Sequence, residues 1–518
     1  MTEQSQTKSW TDSVKAFCHP RVVTMLFLGI SAGIPILLIF SSLSLWLREA
    51  GVERTAVTYF SWAALGYSFK FVWAPLADKL AIPMLTNWLG RRRGWLLLSQ
   101  LMIIAAISLM ASIDPATDTL TAMAWAAVFL GFSAATQDIV IDAYRIESAD
   151  VDLQPLMASS YIAGYRIGML LAGAGALYLA SYLGSTKALY DYQAWQTTYF
   201  IMAAVMLIGV VTTLMIDEPN DRQNDQLVHS QQDYMSFLLL FAFSVVGFIA
   251  TFYYSAELAQ MAKSVLNDRL ANNHLASFIV ELCRLFLALG FVAVIAKSLI
   301  NIGFVKEQQV AQTYIDPLRD FFSRYGLSLA LLLLALIGLY RISDIVLGVI
   351  SNVFYQDLGF SKSVIASVVK SFGLAMTILG GFLGGLLALR FGVMRILFLG
   401  AVLSALTNLL FMLLAQIGHD ITMLYIVIAA DNLSAGLASA AFIAFLSSLT
   451  NISFTAMQYA IFSSLMTLLP KILGGYSGSM VESMGYEQFF LVTALMGIPV
   501  LLLILIANKY LDIRDHHE

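Results

Sequence analysis

Long apolar runs follow one another through most of this chain, and each can cross a bilayer. A hydrocarbon core of about 30 Å takes roughly 20 helical residues. Six such runs come first, near residues 22–46, 57–79, 95–112, 120–145, 157–183 and 195–216. Two more lie near 235–254 and 276–302. A last six lie near 327–354, 364–389, 394–416, 421–446, 455–480 and 489–510. Inside a bilayer every backbone N–H and C=O must be paired within the protein, so runs of this length read as helices. Their number predicts about fourteen spans. Charge agrees: Asp, Glu, Lys and Arg make up 12% of the 518 residues, about half the share in a soluble chain. A net charge of −4 offers no basic surface for nucleic acid. Cys18, ahead of the first run, and Cys283, inside an apolar one, make no disulfide framework. The first twenty residues are polar and lack a signal core, so the first span is expected to act as the insertion signal.

Lysine and arginine set the orientation. Lys8, Lys15 and Arg21 share one side with Lys79 and Arg91–Arg93, with Lys306, Arg319 and Arg324, with Arg390 and Arg395, and with Lys509 and Arg514, if both termini are cytoplasmic. The opposite loops are poor in basic residues and hold Asp114, Asp118, Asp191 and Asp420. Arg48, Arg54, Lys263 and Arg269 vote the other way and are outnumbered. The expected division is a cytoplasmic N-terminal segment over 1–21, a six-helix bundle over 22–216, a linker with two extra transmembrane helices over 217–326, a second six-helix bundle over 327–510, and a cytoplasmic tail over 511–518.

The two six-span blocks read as repeats. Each first span closes on a charged turn, a glycine and a hydrophobe: Leu47-Arg48-Glu49-Ala50-Gly51-Val52 and Tyr355-Gln356-Asp357-Leu358-Gly359-Phe360. Each second span leads into a basic loop. The first copy is Leu76-Ala77-Asp78-Lys79 with Gly90-Arg91-Arg92-Arg93, the second Leu387-Ala388-Leu389-Arg390-Phe391-Gly392 with Arg395. Parallel repeats about an axis along the membrane normal are a transporter architecture. Two inserted spans let both blocks start on the same side; one would invert the second.

Ionisable residues within the spans mark the candidate site, because a charge there must face protein or water. Asp138 and Asp142 are one helical turn apart and Arg145 is three residues on, so all three share a stripe. They read either as a structural ion-pair cluster or as a site for protons or a polar solute. On the second reading Arg145 keeps Asp142 ionised and leaves Asp138 to carry a proton. Asp142 with Arg145 could instead latch the loop at Arg91–Arg93. Asp431, with Asn432 beside it, is the other proton candidate; its alternative is an ion pair with Lys370 or Arg341.

Lys70, Arg166 and Arg341 also lie within spans, the last two near mid-depth. They suit an anionic cargo, or they snorkel or pair structurally. Asp344, three residues after Arg341, is placed to neutralise it. Gly164 and Gly168 permit a close helix approach that would hold Arg166. Gly380-Gly381, Gly384-Gly385, Gly474 and Gly478 read as packing seams, and Trp46, Trp73 and Trp95 as interfacial anchors. No metal-ligand cluster, phosphate loop or nucleophile elbow appears. The chain therefore reads as a non-enzyme without metal or cofactor, and active transport would draw on an ion gradient.

The loop after the second span resembles the signature of the major facilitator superfamily, roughly Gly-x-Leu-Ala-Asp-Arg-x-Gly-Arg-Lys. It departs by an insertion between Asp78-Lys79 and Gly90–Arg93, and by Leu389 in place of Asp in the second copy. Further motifs in the first block are Phe71-Val72-Trp73-Ala74-Pro75-Leu76-Ala77-Asp78, Ala135-Thr136-Gln137-Asp138 and Gly164-Tyr165-Arg166-Ile167-Gly168-Met169. In the second block they are Arg341-Ile342-Ser343-Asp344, Asp431-Asn432-Leu433-Ser434-Ala435-Gly436 and Phe462-Ser463-Ser464-Leu465. Together these resemble the AmpG-type muropeptide permeases.

The resemblance implies an all-α major facilitator fold of two six-helix bundles with two extra helices between them. It implies a bacterial inner-membrane importer driven by protons. The cargo would be N-acetylglucosamine linked to anhydro-N-acetylmuramic acid bearing a short peptide, taken up for peptidoglycan recycling and, indirectly, β-lactamase induction. Together with the residue pattern it places Asp138, Asp142 and Asp431 in proton coupling. Lys70, Gln137, Tyr165, Arg166, Arg341, Asp344 and Asn432 are then expected at the cargo, and Asp78, Arg91, Arg92, Arg93 and Arg145 at the gate. The expected partners are the muropeptide, protons and the bilayer, with no nucleic acid, in a monomer. Acetyl-coenzyme A or another organic anion is the alternative cargo, since the related acetyl-coenzyme A transporters share Ala135–Asp138.

Overall fold

Without water to bond to, the backbone satisfies itself along its own helices, and all regular structure among the described residues is helical. The computed structural model describes residues 15–52, 67, 70–118, 120–186, 189–219, 231–270, 273–361, 364–474 and 476–515. The first block comprises α1 (Pro20–Leu37), α2 (Leu43–Glu49), α3 (Ala74–Lys79), α4 (Arg91–Ala111), α5 (Leu120–Ser148), α6 (Gln154–Leu170), α7 (Ala176–Tyr182), α8 (Tyr192–Val205) and α9 (Leu207–Met215). The middle segment forms α10 (Gln231–Tyr254), α11 (Ala256–Leu270) and α12 (Asn273–Asn301). The second block comprises α13 (Asp316–Leu339), α14 (Ile342–Asp357), α15 (Gly373–Phe391), α16 (Val393–Ile417), α17 (Ile421–Leu449), α18 (Thr455–Gly474), α19 (Ser477–Leu495) and α20 (Gly497–Asp515).

Among the described residues 11 helical stretches are long and apolar enough to cross a membrane, or up to 12 if the bent pair Leu239–Thr251 and Ala256–Arg269 counts as one span. The expected second span, near 57–79, lies mostly outside the described residues. The middle segment differs from expectation. Its first apolar run does not end in a loop but continues, bent by 46°, into the charged helix α11. Hydropathy stops at Tyr254, whereas Ala, Glu, Leu, Gln, Met and Lys are all strong helix formers. Of the second run, Phe286–Asn301 is a shorter apolar helix.

The chain divides into two compact units. One comprises Met1–Asp78, Ile82–Gln223 and Phe321–Glu518, and so holds helices of both blocks; the other comprises Lys79–Ala81 and Asn224–Asp320.

Several spans are interrupted among the described residues. Pro35 removes one helical hydrogen bond and crowds the preceding turn, and a π-helical turn, Leu38–Ser42, joins α1 to α2. A second π-helical turn, Leu171–Gly175, joins α6 to α7. The third break was not legible as hydropathy: α13 and α14 part at Tyr340–Arg341, where Arg341 adopts φ −96° and ψ 11°.

Glycine decides which helices touch. A Cβ on Gly164 would stand 2.0 Å from the Leu26 carbonyl oxygen, and one on Gly168 2.2 Å from that of Ile30. Gly29 and Gly33 meet the Tyr161 and Tyr165 carbonyls just as closely, at 2.4 and 2.1 Å. Helices α1 and α6 therefore run backbone to backbone, the close packing that small residues permit where no hydrophobic effect drives helices together. Gly380 and Gly384 do the same against Leu433 and Leu437 of α17. Gly478 is different: nothing lies within 4 Å of its Cβ position, so it is no seam.

The tryptophans also depart from expectation. Trp46 is fully buried and stacks on Trp195 at 5.7 Å. Its indole donates to the Tyr190 hydroxyl (3.2 Å), and that of Trp195 to Glu49 (2.8 Å). Trp73 donates to the Thr136 hydroxyl at 3.1 Å. Each N–H finds its partner inside the bundle rather than at a headgroup. Among the described tryptophans, Trp88 and Trp125 are the exposed ones.

Gly164→Val and Gly168→Val should each lose about 1–3 kcal/mol or more through overpacking, seen as a lower midpoint in a thermal scan of detergent-purified protein. Gly478→Ala should match or exceed the parent, because alanine is the better helix former by about 1 kcal/mol. Equal midpoints for all three variants would mean that the α1–α6 seam does not set stability.

Candidate functional site

At one end of the first block, three helix termini bring charges together. Asp78 ends α3's approach, Arg92 opens α4 and Glu147 closes α5. The Arg92 guanidinium, 2% exposed, donates to Asp78 Oδ1 (2.8 Å), to both Glu147 oxygens (2.5 and 2.8 Å) and to the Ala77 carbonyl (2.7 Å). A buried guanidinium is tolerable only when its donors are met in this way. Glu218, outside the spans, caps α4 by accepting the N–H groups of Arg92 (2.7 Å) and Arg93 (2.9 Å). Burial nevertheless lifts its carboxyl above the ordinary glutamate range. Gly90 makes room for it: at φ 89°, a Cβ there would come 2.4 Å from the Glu218 carboxyl carbon.

The same Asp78 reaches the second block. Its two oxygens accept the backbone N–H groups of Ala456 (3.0 Å) and Met457 (2.9 Å) in the first turn of α18. An anion at a helix N-terminus meets unpaired donors and the positive end of the helix dipole. Arg145, fully buried, adds a second crossing, donating to Ser447 of α17 at 2.7 Å and lying over the Tyr459 ring at 5.2 Å. Around them the blocks approach closely, with Gly385 against Pro155 and Ser159 and Phe17 against Phe382.

The expected latch between Asp142 and Arg91–Arg93 is therefore replaced. Arg92 is taken by Asp78 and Glu147, and Arg93 donates to the Thr213 and Leu214 carbonyls. Asp142 instead holds Arg145 at 3.4 Å and Lys70 at 3.6 Å. Lys70, expected to face cargo, is buried in that ion pair. Asp138 is partly exposed and accepts a hydrogen bond from Tyr161 at 3.3 Å, with Lys70 near enough to attract it. Gln137 turns elsewhere. It is fully buried and accepts from Ser31 of α1 at 3.2 Å, so it sits inside the first block rather than at the cargo.

Midway along the helices each block carries a guanidinium, Arg166 in the first and Arg341 in the second, within electrostatic reach of each other. Arg166, on α6, is partly exposed; its Nη1 lies 3.8 Å from the Met169 sulfur, and it has no carboxylate partner among the described residues. Arg341, at the break between α13 and α14, is its cationic neighbour across the interface. Arg341 is pinned by Ser439 (2.7 Å) and paired with Asp344 (3.1 Å), which also accepts from Ser404. Tyr165 stands beside Arg166 and Tyr161, its ring 6.0 Å from that of Tyr161. Asp431 faces Thr407, with Asp344 and Arg341 nearby. Asn432 is engaged within the second block by Thr377 (2.9 Å) and the Ile428 carbonyl (3.0 Å).

Sequence reasoning missed Glu147, Tyr161, Ser447 and Tyr459. Glu147 and Tyr161 carried a local signal: Glu147 closes the Asp138–Arg145 helix, and Tyr161 is one turn before Tyr165. Ser447 and Tyr459 carried none.

A family model described as Major Facilitator Superfamily matches residues 22–340 and 332–515. The chain belongs to the Major Facilitator Superfamily. This makes it a multi-pass membrane transporter rather than an enzyme. A protein of Escherichia coli K12 named anhydromuropeptide permease is 28% identical over 500 residues, 96% of this chain and 82% of that one. A Rickettsia felis protein whose name places it among AmpG transporters is 28% identical over 499 residues, 96% of this chain and 99% of its own. The resemblance read from the motifs is thus shared along nearly the whole length. Two solved facilitators have the same fold: a proton:xylose symporter (TM-score 0.57, 12% identity, 95% of both chains) and a human organic anion transporter (TM-score 0.56, 13% identity, 93% of this chain and 99% of that one).

In this facilitator Asp78→Asn should open the end that Asp78 joins. Breaking a buried ion pair from one side costs about 3–5 kcal/mol, so maleimide labelling of a single cysteine at Ser159 should accelerate at least tenfold. An unchanged labelling rate would mean that Asp78 does not hold the blocks together.

Proposed function

We propose that this facilitator imports anhydromuropeptides, sugar-linked wall peptides, from periplasm to cytoplasm at the expense of the proton gradient. Wall recycling and, through the cytoplasmic muropeptide pool, β-lactamase induction would follow from that uptake. The observation that supports it most is that Arg166 and Arg341, one from each block, lie within electrostatic reach of each other at mid-depth. Two neighbouring guanidiniums, one without a carboxylate partner among the described residues, are costly in a membrane unless an anion joins them. Wall peptides carry several carboxylates, and relatives at full length bear the permease name.

With the basic loops cytoplasmic, the end joined by Asp78 faces the cytoplasm, and the described state is closed on that side. Asp138 is the best-placed proton carrier. Among the described residues Asp142 has two cations in ion-pair contact and Asp138 none, so a proton is the simplest neutraliser for Asp138. Tyr161 couples it to α6, the helix that also carries Arg166. Asp431 is the alternative carrier in the second block.

Arg166→Gln and Arg341→Gln should each weaken apparent affinity about ten- to a hundredfold, the loss of one charge-assisted contact of about 1.5–3 kcal/mol. Uptake of labelled muropeptide into energised vesicles measures this, and competition identifies the cargo. Inhibition by acetyl-coenzyme A but not by the sugar-linked peptide would replace the muropeptide with another organic anion.

Asp138→Asn should abolish accumulation against a gradient and spare counterflow exchange, which needs no net proton movement. An Asn variant that still concentrates cargo would move the proton role to Asp431.

A further inference from the structure

Three tyrosines of the first block gather around Asp138. Tyr161 and Tyr165 lie one turn apart on α6, their rings 6.0 Å apart and inclined at 50°. Both are partly exposed, while Ile162, Ala163 and Gly164 between them are buried. Gly164 lies in the seam with α1, where Tyr161 and Tyr165 also present their main-chain carbonyls, and Tyr161 is within electrostatic reach of Tyr459 of the second block. The Tyr161 hydroxyl donates to Asp138 Oδ1 at 3.3 Å. Tyr67 packs against the core of the first block, within electrostatic reach of Tyr165 and Asp138. Its hydroxyl oxygen is shut off from solvent yet has no hydrogen-bond partner among the described residues.

This wall has a chemical character of its own. It offers flat aromatic faces, one hydroxyl without a partner among the described residues, and the partly exposed carboxyl of Asp138. Carboxylates repel an anionic group, and the nearby cation, Lys70, is already paired with Asp142 at 3.6 Å. A neutral polyol ring suits it instead. Such a ring lays C–H faces on aromatic rings and presents hydroxyls that both donate and accept, as tyrosine and carboxylate require. Five residues of α6 separate Tyr161 from Arg166, a rise of about 7.5 Å, about one sugar ring along the helix.

We infer that the cargo is held by two poles: its sugar rings against Tyr67, Tyr161 and Tyr165 of the first block, and its carboxylates at Arg166 and Arg341. The inference rests on the muropeptide reading and deepens it. Asp138 then serves the sugar as an acceptor as well as the proton as a carrier. Cargo binding and protonation meet on one side chain.

Two partial ligands separate the poles in the vesicle uptake assay: the neutral disaccharide of N-acetylglucosamine and a free acidic stem peptide, each as inhibitor of labelled muropeptide uptake. Tyr67→Ala and Tyr161→Ala should raise the inhibition constant of the disaccharide at least tenfold and that of the peptide less than twofold. Arg166→Gln should give the reverse pattern. Tyr67→Phe and Tyr161→Phe, which keep the ring and its packing, should weaken the disaccharide severalfold and so stand in if the Ala variants fail to insert. Equal weakening of both probes, or no inhibition by the disaccharide of a wild type that takes up muropeptide, would overturn the two-pole assignment alone. A wild type that takes up no muropeptide would overturn the functional reading, and this inference with it.

Discussion

One carboxylate serves two masters at the joined end of this protein. Asp78 neutralises Arg92 within the first block and caps α18 in the second. The two tasks differ in weight. A helix cap contributes about 0.5–2 kcal/mol, whereas an unpaired buried guanidinium would cost several times that. The electrostatic demand of Arg92 therefore fixes Asp78 in place, and the cap exploits a charge that is already held. Glu147 strengthens this arrangement by taking the remaining face of Arg92, and Glu218 secures the helix from which Arg92 projects. Such a junction is firm as a unit and weak once one member is lost, which suits two blocks that must part and rejoin.

Beyond the junction the charges are unevenly placed. Asp138 and Asp142 lie on α5 of the first block, and Arg166 and Arg341 lie at mid-depth, the latter paired with Asp344. On the reading proposed here, that asymmetry orients an amphoteric cargo before any shape complementarity acts. Tyr161 links the two regions, because its hydroxyl touches Asp138 while its helix carries Arg166. A shift of α6 against α5 would alter both at once, and the backbone contact between α6 and α1 makes α6 a stiff lever.

Features written in local pattern were legible in the sequence. The spans found among the described residues of both blocks followed from apolar length, the α1–α6 seam from Gly164 and Gly168, and the Asp142–Arg145 and Arg341–Asp344 pairs from helical spacing. The superfamily followed from the loop around Asp78 and Arg91–Arg93. Gln137 was misplaced because motif membership does not reveal a face: neighbouring helical residues diverge by about 100°, so Asp138 meets Tyr161 and Gln137 meets Ser31. Lys70 was misplaced because its partner, Asp142, is 72 residues away along the chain. The break at Arg341 left no trace, since no proline interrupts the run and the side chain's partners lie on α14 and α17. Trp46 and Trp73 were assigned to headgroups by residue type, although a buried indole needs only one acceptor and each found one.

The receiving half of the Asp78 junction has a consequence for how such proteins diverge. What Asp78 grips on α18 is main chain: two N–H groups that every residue except proline supplies. Side chains at 456 and 457 can drift without loosening the grip, so pairwise covariation with position 78 would be silent there even though the contact is direct. The burden of heredity falls on one side of the junction only. The repeats are unequal in the same respect: with Leu389 standing where the superfamily signature has an aspartate, the second copy offers no carboxylate for a clasp of this kind.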